Sequence, residues 1–426
     1  MQIHQLSLKN FKCFEELTLK LQPKFNVIIG NNGTGKSSLL KALKIALEVF
    51  IGAMNDKPTY LLKNDNNTRL KYFPTTHTIE YQLPTILEVQ ATLQDSKEVI
   101  FYATKETNTT MDSCGIHPLG TTKSKVYEML QQVRSGSEVM LPIVAYFSPF
   151  RRFETITKEP EIIGAKSRLV GYEDAIDEQF NFGTFANWFK NQELILLQEL
   201  TFLQESTKKN FRLELVRKAV SLCIPDCETI FYSIKMNSII AKFKDEQFIP
   251  IDLLSDGFKS MLAMVADIAY RCITLNPHLG EKALESSGVV LIDELDVHLH
   301  PNWQQKVAKM LKATFPNIQF IVTTHSPLIL HSLELGDRII TLEDNQVYYH
   351  DNKFGRDADD TLLQIMDTKI ETPFLKEYLE LIETGRGRTS EALALRQKIE
   401  DLVGHDYKEL AKVDALMQFY NKDTAL

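Results

Sequence analysis

Gly30-Asn31-Asn32-Gly33-Thr34-Gly35-Lys36-Ser37 is the stretch on which the fold turns. It fits G-x-x-x-x-G-K-[ST], a loop whose backbone N–H groups wrap phosphates. Phe25-Asn26-Val27-Ile28-Ile29, just before it, reads as a buried strand. Ser38 to Phe50, just after it, carries apolar residues at helical spacing (Leu39, Leu40, Leu43, Ile45, Ala46, Val49). The loop therefore joins a strand to a helix N-terminus, where unpaired N–H groups and the helix dipole favour a polyanion. Glycines let the backbone approach phosphates without Cβ clashes. The expected ATP-binding segment is Gly30, Asn31, Asn32, Gly33, Thr34, Gly35, Lys36, Ser37 and Ser38. In it Lys36 reaches the β/γ-phosphates and Ser37 offers its hydroxyl to Mg²⁺.

A second constellation lies far downstream. Gly288-Val289-Val290-Leu291-Ile292 is an apolar strand that ends in two carboxylates, Asp293 and Glu294. Asp293 is expected to hold Mg²⁺ through water, and Glu294 to orient and polarise an attacking water. Upstream of it, Leu254-Ser255-Asp256-Gly257-Phe258 opens a helix carrying Met261, Leu262, Met264, Val265 and Ile268. Downstream, Ile318 to Val322 is another strand, ending Thr323-Thr324-His325-Ser326-Pro327.

These motifs, in this order, resemble the ABC superfamily of ATPases. Leu8-Lys9-Asn10-Phe11-Lys12 resembles the opening phrase of its RecF and SMC class. The resemblance implies an α/β fold: an ABC-type P-loop NTPase head with inserted β-rich and helical lobes and a C-terminal helical tail. It implies that Ser255, Asp256 and Gly257 form the signature that caps the ATP of a partner subunit. It places Asp296 in the D-loop (295–301) and His325 at the switch position that contacts the γ-phosphate. Glu294 and His325 are then the catalytic pair. One departure is clear: Ser148-Pro149-Phe150-Arg151-Arg152-Phe153 stands where a Q-loop is expected and holds no glutamine.

Three phrases narrow the resemblance. I-D-E-L-D-V-H-L-H-P-N-W-Q (292–304), T-T-H-S-P (323–327) and G-R-D (355–357) are similar to those of the PtuA-like ATPases of the Septu antiphage system and of some retrons. That likeness implies an ATP-gated homodimer or higher oligomer that controls a separate HNH-type nuclease. A freestanding RecF-like DNA repair ATPase is the alternative. An ABC transporter subunit fits poorly with the missing glutamine and the long interval between P-loop and signature. About 75 residues of tail are too few for a fused Toprim nuclease domain.

The ATPase domain is expected over 1–350, with a β-rich lobe at 55–150 and a helical lobe at 170–222. Residues 351–426 should form a helical partner or assembly region. Hairpin-like alternation marks residues 2–9 and 17–21. Segments 55–78 and 105–122 read as surface loops. No long heptad run fills the interval, so no coiled-coil arm is expected. Lys208, Lys209, Arg212, Arg217 and Lys218 offer a local basic patch for nucleic acid, interrupted by Glu205 and Glu214.

Composition sets the outer bounds. The 426 residues are 44% apolar and 24% charged, ordinary for a globular protein. A net charge of −8 excludes a surface that is basic all over. Five scattered cysteines argue against a disulfide framework. No apolar run nears the roughly 18 residues of a membrane span, and the first residues lack a signal-peptide pattern. A cytoplasmic location without membrane contact is the expectation.

Overall fold

The structure, a computed structural model, describes residues 1–55, 67–93, 98–106, 120–149, 167–178, 182–202, 210–330, 332–350 and 373–403, less 385 and 388. The chain divides into two compact units, Met1–Thr361 and Leu362–Leu426.

The first unit is built on a six-stranded sheet. Its strands are β3 (Phe25–Ile29), β8 (Ile143–Phe147), β12 (Gly288–Ile292), β13 (Ile318–Thr323), β14 (Arg338–Glu343) and β15 (Gln346–His350), in the order β15-β14-β3-β13-β12-β8. All pairs are parallel except β14 with β15. β3, β12 and β13 are buried along their whole length, which explains why they are mostly apolar, with β12 an unbroken apolar run. Phe25 and Phe320 meet across the β3–β13 pair with ring centroids 5.6 Å apart.

An antiparallel sheet stands beside it, ordered β2-β1-β6-β7, from β1 (Gln2–Phe11), β2 (Phe14–Lys20), β6 (Thr85–Thr92) and β7 (Glu98–Lys105). Helix α1 (Lys36–Met54) packs on strands of both sheets, and its Phe50 makes edge contacts with Phe101 and Tyr172 at 6.5 and 5.8 Å. Gln319 also ties the two sheets. Its side-chain oxygen accepts from the Ile3 N–H at 2.7 Å, and its nitrogen donates to the carbonyls of Ile3 and Gln22 at 2.8 and 2.7 Å. The contact falls at a register irregularity of β1 between Ile3 and Gln5.

The helical part contains α2 (Gly120–Arg134), α3 (Phe182–Phe202), α4 (Phe211–Cys223) and α5 (Asp256–Leu275). A third sheet, β11-β10-β9, is made of β9 (Cys227–Ser233), β10 (Ser238–Phe243) and β11 (Phe248–Pro250). Inside α5, Arg271 grips Asp267 through two bonds of 2.7 and 3.1 Å, and also donates to the carbonyls of Gly171 and Glu173.

Several expectations are redrawn. β6 and β7 continue the sheet of the opening hairpin, and β8 joins the six-stranded sheet, so 55–150 is not one separate lobe. Within the expected loop 55–78 the described residues contain β4 (Leu70–Phe73), paired with β5 (Thr78–Tyr81) as a sheet of two strands. Residues 120–122, expected in a loop, begin α2.

In the second unit, helices Pro373–Glu383 and Ser390–Val403 enclose a small core of Tyr378, Ile382, Ala392 and Ile399. The Lys398 ammonium lies 4.0 Å from the centre of the Phe374 ring. The G-R-D phrase at 355–357 lies outside the described residues.

Candidate nucleotide site

The P-loop runs from the end of β3 into α1. Gly30, Gly33 and Gly35 have φ of +151°, +85° and +101°. The walls explain two of them. A β-carbon on Gly30 would lie 2.5 Å from the Leu342 carbonyl oxygen of β14, and one on Gly35 would lie 2.6 Å from the Phe14 ring and 2.7 Å from the Cys13 sulfur. Only glycine accepts both the left-handed backbone and these neighbours at 35. The β1–β2 turn thus presses directly on the helix entrance. Asn31, Asn32, Gly33 and Ser37 are exposed, with Thr34 and Ser38 half-buried. The Thr34 hydroxyl donates to the Asn31 carbonyl at 2.9 Å and stiffens the loop.

Lys36 is buried, and its ammonium donates to the carbonyls of Gly30 and Asn31 at 2.7 and 2.9 Å. Burial holds its pKa below the ordinary lysine range, against the attraction of Asp293, Glu294 and Asp296, which raises it. The P-loop cation and the acidic segment after β12 therefore share one site, although more than 250 positions separate them in the sequence.

That acidic segment is held by β13. The Asp293 N–H donates to the Phe147 carbonyl at 2.8 Å. The Thr323 hydroxyl donates to the Asp293 carboxylate at 2.5 Å and accepts from the Glu294 N–H at 2.8 Å. The Leu295 N–H reaches the Thr323 carbonyl at 2.9 Å. Glu294 sits at φ +50°, a left-handed turn that ends the strand. Two residues on, the Asp296 carboxylate accepts from the Thr324 hydroxyl at 2.5 Å and the His325 N–H at 3.2 Å. Gln304 completes the tie. Its nitrogen donates to the carbonyls of Asp296 and Leu299, and its oxygen accepts from the Ser326 hydroxyl. His325 itself is exposed. Thr323 and Gln304 lie within the quoted sequence phrases but are given no role there, yet both shape the site. The one trace in the sequence is a hydroxyl closing an apolar strand.

Ser255 is the N-cap residue of α5 and makes no side-chain cap bond. Ser255 and Asp256 are exposed, whereas Gly257 is buried against the loop after β12, where a β-carbon would lie 2.0 Å from the His298 carbonyl oxygen. Phe258, next in line, packs at a tilt of 56° against Trp303 and Phe243, with ring centroids 5.4 and 5.2 Å away. The start of α5 and the D-loop segment are packed as one body within the chain.

The basic patch is partly redrawn. Arg217 donates to Glu193 and Glu214 at 2.6 and 2.7 Å and to the Ile230 carbonyl, so it is committed within the fold. Lys208 and Lys209 of the patch lie outside the described residues, as do Arg151 and Arg152 of the Ser148-Pro149-Phe150-Arg151-Arg152-Phe153 stretch.

The loop can accept a nucleotide's phosphates. Its glycine backbone is open at Gly33, where an added β-carbon meets nothing within 4 Å, and a buried ammonium lies beside it. Ser37 and Asp293 supply the hydroxyl and carboxylate oxygens that suit a hard cation such as Mg²⁺.

A P-loop on a central parallel strand, beside an acidic strand end across one intervening strand, defines an α/β P-loop NTPase head. Two family models match parts of the chain: "AAA ATPase domain" over residues 1–132 and "AAA domain, putative AbiEii toxin, Type IV TA system" over residues 135–331. The chain is an ATP-hydrolysing P-loop enzyme. Among curated proteins it is similar to "Retron Vc95 probable ATPase" of Vibrio cholerae serotype O1 biovar El Tor, 26% identical over 99% of this chain and 87% of the relative. It is similar as well to "Retron Ec83 probable ATPase" of Escherichia coli, 26% identical over 78% of this chain and 70% of the relative. "Septu protein PtuA" of Bacillus thuringiensis is 26% identical over 81% of this chain and 78% of the relative. No helix among the described residues is long and apolar enough to cross a membrane.

Proposed function

We propose that this chain is an ATP-gated ATPase of antiphage defence that pairs head to tail around two nucleotides and controls an HNH-type nuclease. Its likeness to retron and Septu ATPases over most of its length is the observation that carries the defence role. In this reading Gly30 to Ser38 hold the phosphates of ATP, and Lys36 neutralises their charge. Ser37 and Asp293 hold Mg²⁺, which when bound supplies charge neutralisation at the phosphate oxygens. Glu294 orients the attacking water and polarises it by accepting a hydrogen bond from its O–H. His325 meets the γ-phosphate, and Asp296 positions His325 through the N–H bond described above. Ser255, Asp256 and Gly257 cap the nucleotide of a second copy, so a two-fold dimer contains two shared sites. The unit Leu362–Leu426 is the partner or assembly region. The chain acts in the cytoplasm, without membrane contact.

The test is plaque formation on a host carrying the chain with its neighbouring genes. Protection should require an adjacent nuclease gene and be lost in Lys36→Ala. Protection that survives Lys36→Ala, or needs no second gene, would sink the gated-nuclease reading.

A further inference from the structure

β13 ends in Thr323, and Thr324 follows it. Each threonine holds a different carboxylate. Thr324 serves the Asp296 side, donating to that carboxylate and accepting from the Ser326 N–H at 3.0 Å. Thr323 serves the acidic end of β12. The parallel register sets Val322 level with Ile292, so Thr323 stands level with Asp293. Thr323 is fully buried, and a buried hydroxyl needs partners for its hydrogen and its lone pairs.

The Thr323 hydroxyl finds one partner each way. It gives its single hydrogen to Oδ1 of Asp293 at 2.5 Å and accepts the Glu294 N–H at 2.8 Å. One oxygen atom therefore fixes the Asp293 carboxylate and the Glu294 backbone relative to each other. The Thr323 carbonyl adds a third hold by accepting the Leu295 N–H at 2.9 Å. Glu294 has use for these holds. Its φ of +50° lies in a region that residues other than glycine occupy only at a cost, and the surroundings must keep it there. The Glu294 carbonyl is also engaged, accepting the Val297 N–H at 3.2 Å. The side chain of Glu294 thus starts from a backbone pinned on both sides. A carboxylate that must meet one water in one orientation depends on such a fixed base.

We propose that Thr323 is a positioning residue for ATP hydrolysis. Its hydroxyl locks the Glu294 backbone against the Asp293 carboxylate and so sets where the Glu294 side chain meets the attacking water. This rests on the reading of Glu294 as the group that orients that water. Phosphate binding rests on other groups in the same reading, the P-loop amides and the Lys36 ammonium, so Thr323 governs turnover and not ATP affinity.

The test compares Thr323→Val, Thr323→Ala and Thr323→Ser in the full chain. Val and Ala both remove the hydroxyl but err in opposite directions on space, so a loss they share belongs to the hydroxyl, and either one decides if the other fails to fold. Phosphate release at saturating Mg-ATP should fall by about 10–100-fold in both. ATP affinity, read by titration with a fluorescent analogue, should stay within about threefold. Thr323→Ser keeps the hydroxyl and should stay within about threefold of the parent in both readouts. A second arm repeats the changes in Glu294→Gln, followed in single turnovers with enzyme in excess. There the loss of the hydroxyl should cost about threefold or less, because the group it positions is already gone. Hydroxyl-free variants that turn over like the parent, or a Thr323→Ser chain as slow as Thr323→Ala, would overturn the proposal and leave the Glu294 reading standing. So would a loss of equal size in both backgrounds, a loss of ATP affinity in place of turnover, or failure of both hydroxyl-free chains to fold. Near-normal turnover in Glu294→Gln alone would overturn the Glu294 reading, and this proposal with it.

Discussion

The carbonyl oxygen of His298 faces the α-carbon of Gly257 so closely that no β-carbon fits between them. The glycine of the signature thus has a reason inside its own chain, separate from any nucleotide on a second copy. Gly257→Ala must push the D-loop segment away from α5 or bend the helix start. It should destabilise the fold by about 1–3 kcal/mol, the usual range for overpacking. A lowered melting temperature with ATP binding still measurable would bear this out, and an unchanged melting curve would count against it.

Lys36→Ala removes the buried ammonium that faces three carboxylates. Charged hydrogen bonds contribute roughly 1.5–3 kcal/mol each, so ATP affinity should fall by about 10²-fold or more. Titration with a fluorescent ATP analogue on the folded variant decides it. Unchanged affinity would remove Lys36 from the site.

Glu294→Gln keeps the size and one oxygen but loses charge and basicity. Turnover should fall by the roughly 10²–10⁴-fold typical of a lost general base, with ATP affinity within about tenfold. Dimers should accumulate on a sizing column with Mg-ATP. Near-normal turnover would move the search to Asp296 or His325.

Mixed chains test the shared site. Lys36→Ala and Ser255→Arg chains, each inactive alone, should form mixed dimers with one doubly damaged and one intact site. Partial recovery of phosphate release is expected. No recovery from demonstrated mixed dimers would point to sites made within one chain, or to sites that work only together.

Asp267→Asn leaves the Arg271 guanidinium buried without its counter-charge. Breaking such a pair costs about 3–5 kcal/mol, and here Arg271 also holds the Gly171 and Glu173 carbonyls. Urea unfolding should show a lower midpoint. A midpoint equal to the parent's would mean that Arg271 finds its balance elsewhere.

The sequence made the P-loop and the Asp293–Glu294 strand readable because each is a local unit, a short apolar run ending in special residues. Fit between distant segments was not readable. Gln319 interrupts an apolar strand, which hints at a special task, but nothing local says that its amide serves Ile3 and Gln22 across the molecule. Thr323 looks like a strand residue until β12 lies beside it and its hydroxyl bonds both Asp293 and Glu294. β4 lies in a stretch that reads as loop because the strand has only four residues and sits beside an Asn- and Asp-rich segment, although Tyr and Phe favour strands. The left-handed turn at Glu294 has no signature in residue type at all.

β13 lies between β3 and β12, with Val322 level with Val27 on one side and with Ile292 on the other. Every residue of the three strands is buried, so a slip of one position would turn whole faces the wrong way. The heights of the loops that follow these strands are therefore settled when the sheet forms, before any ligand arrives. A weakened sheet should not give a population of half-competent molecules. It should give fewer molecules, each with the loops at full register, so that specific activity per folded chain stays constant as stability is lost.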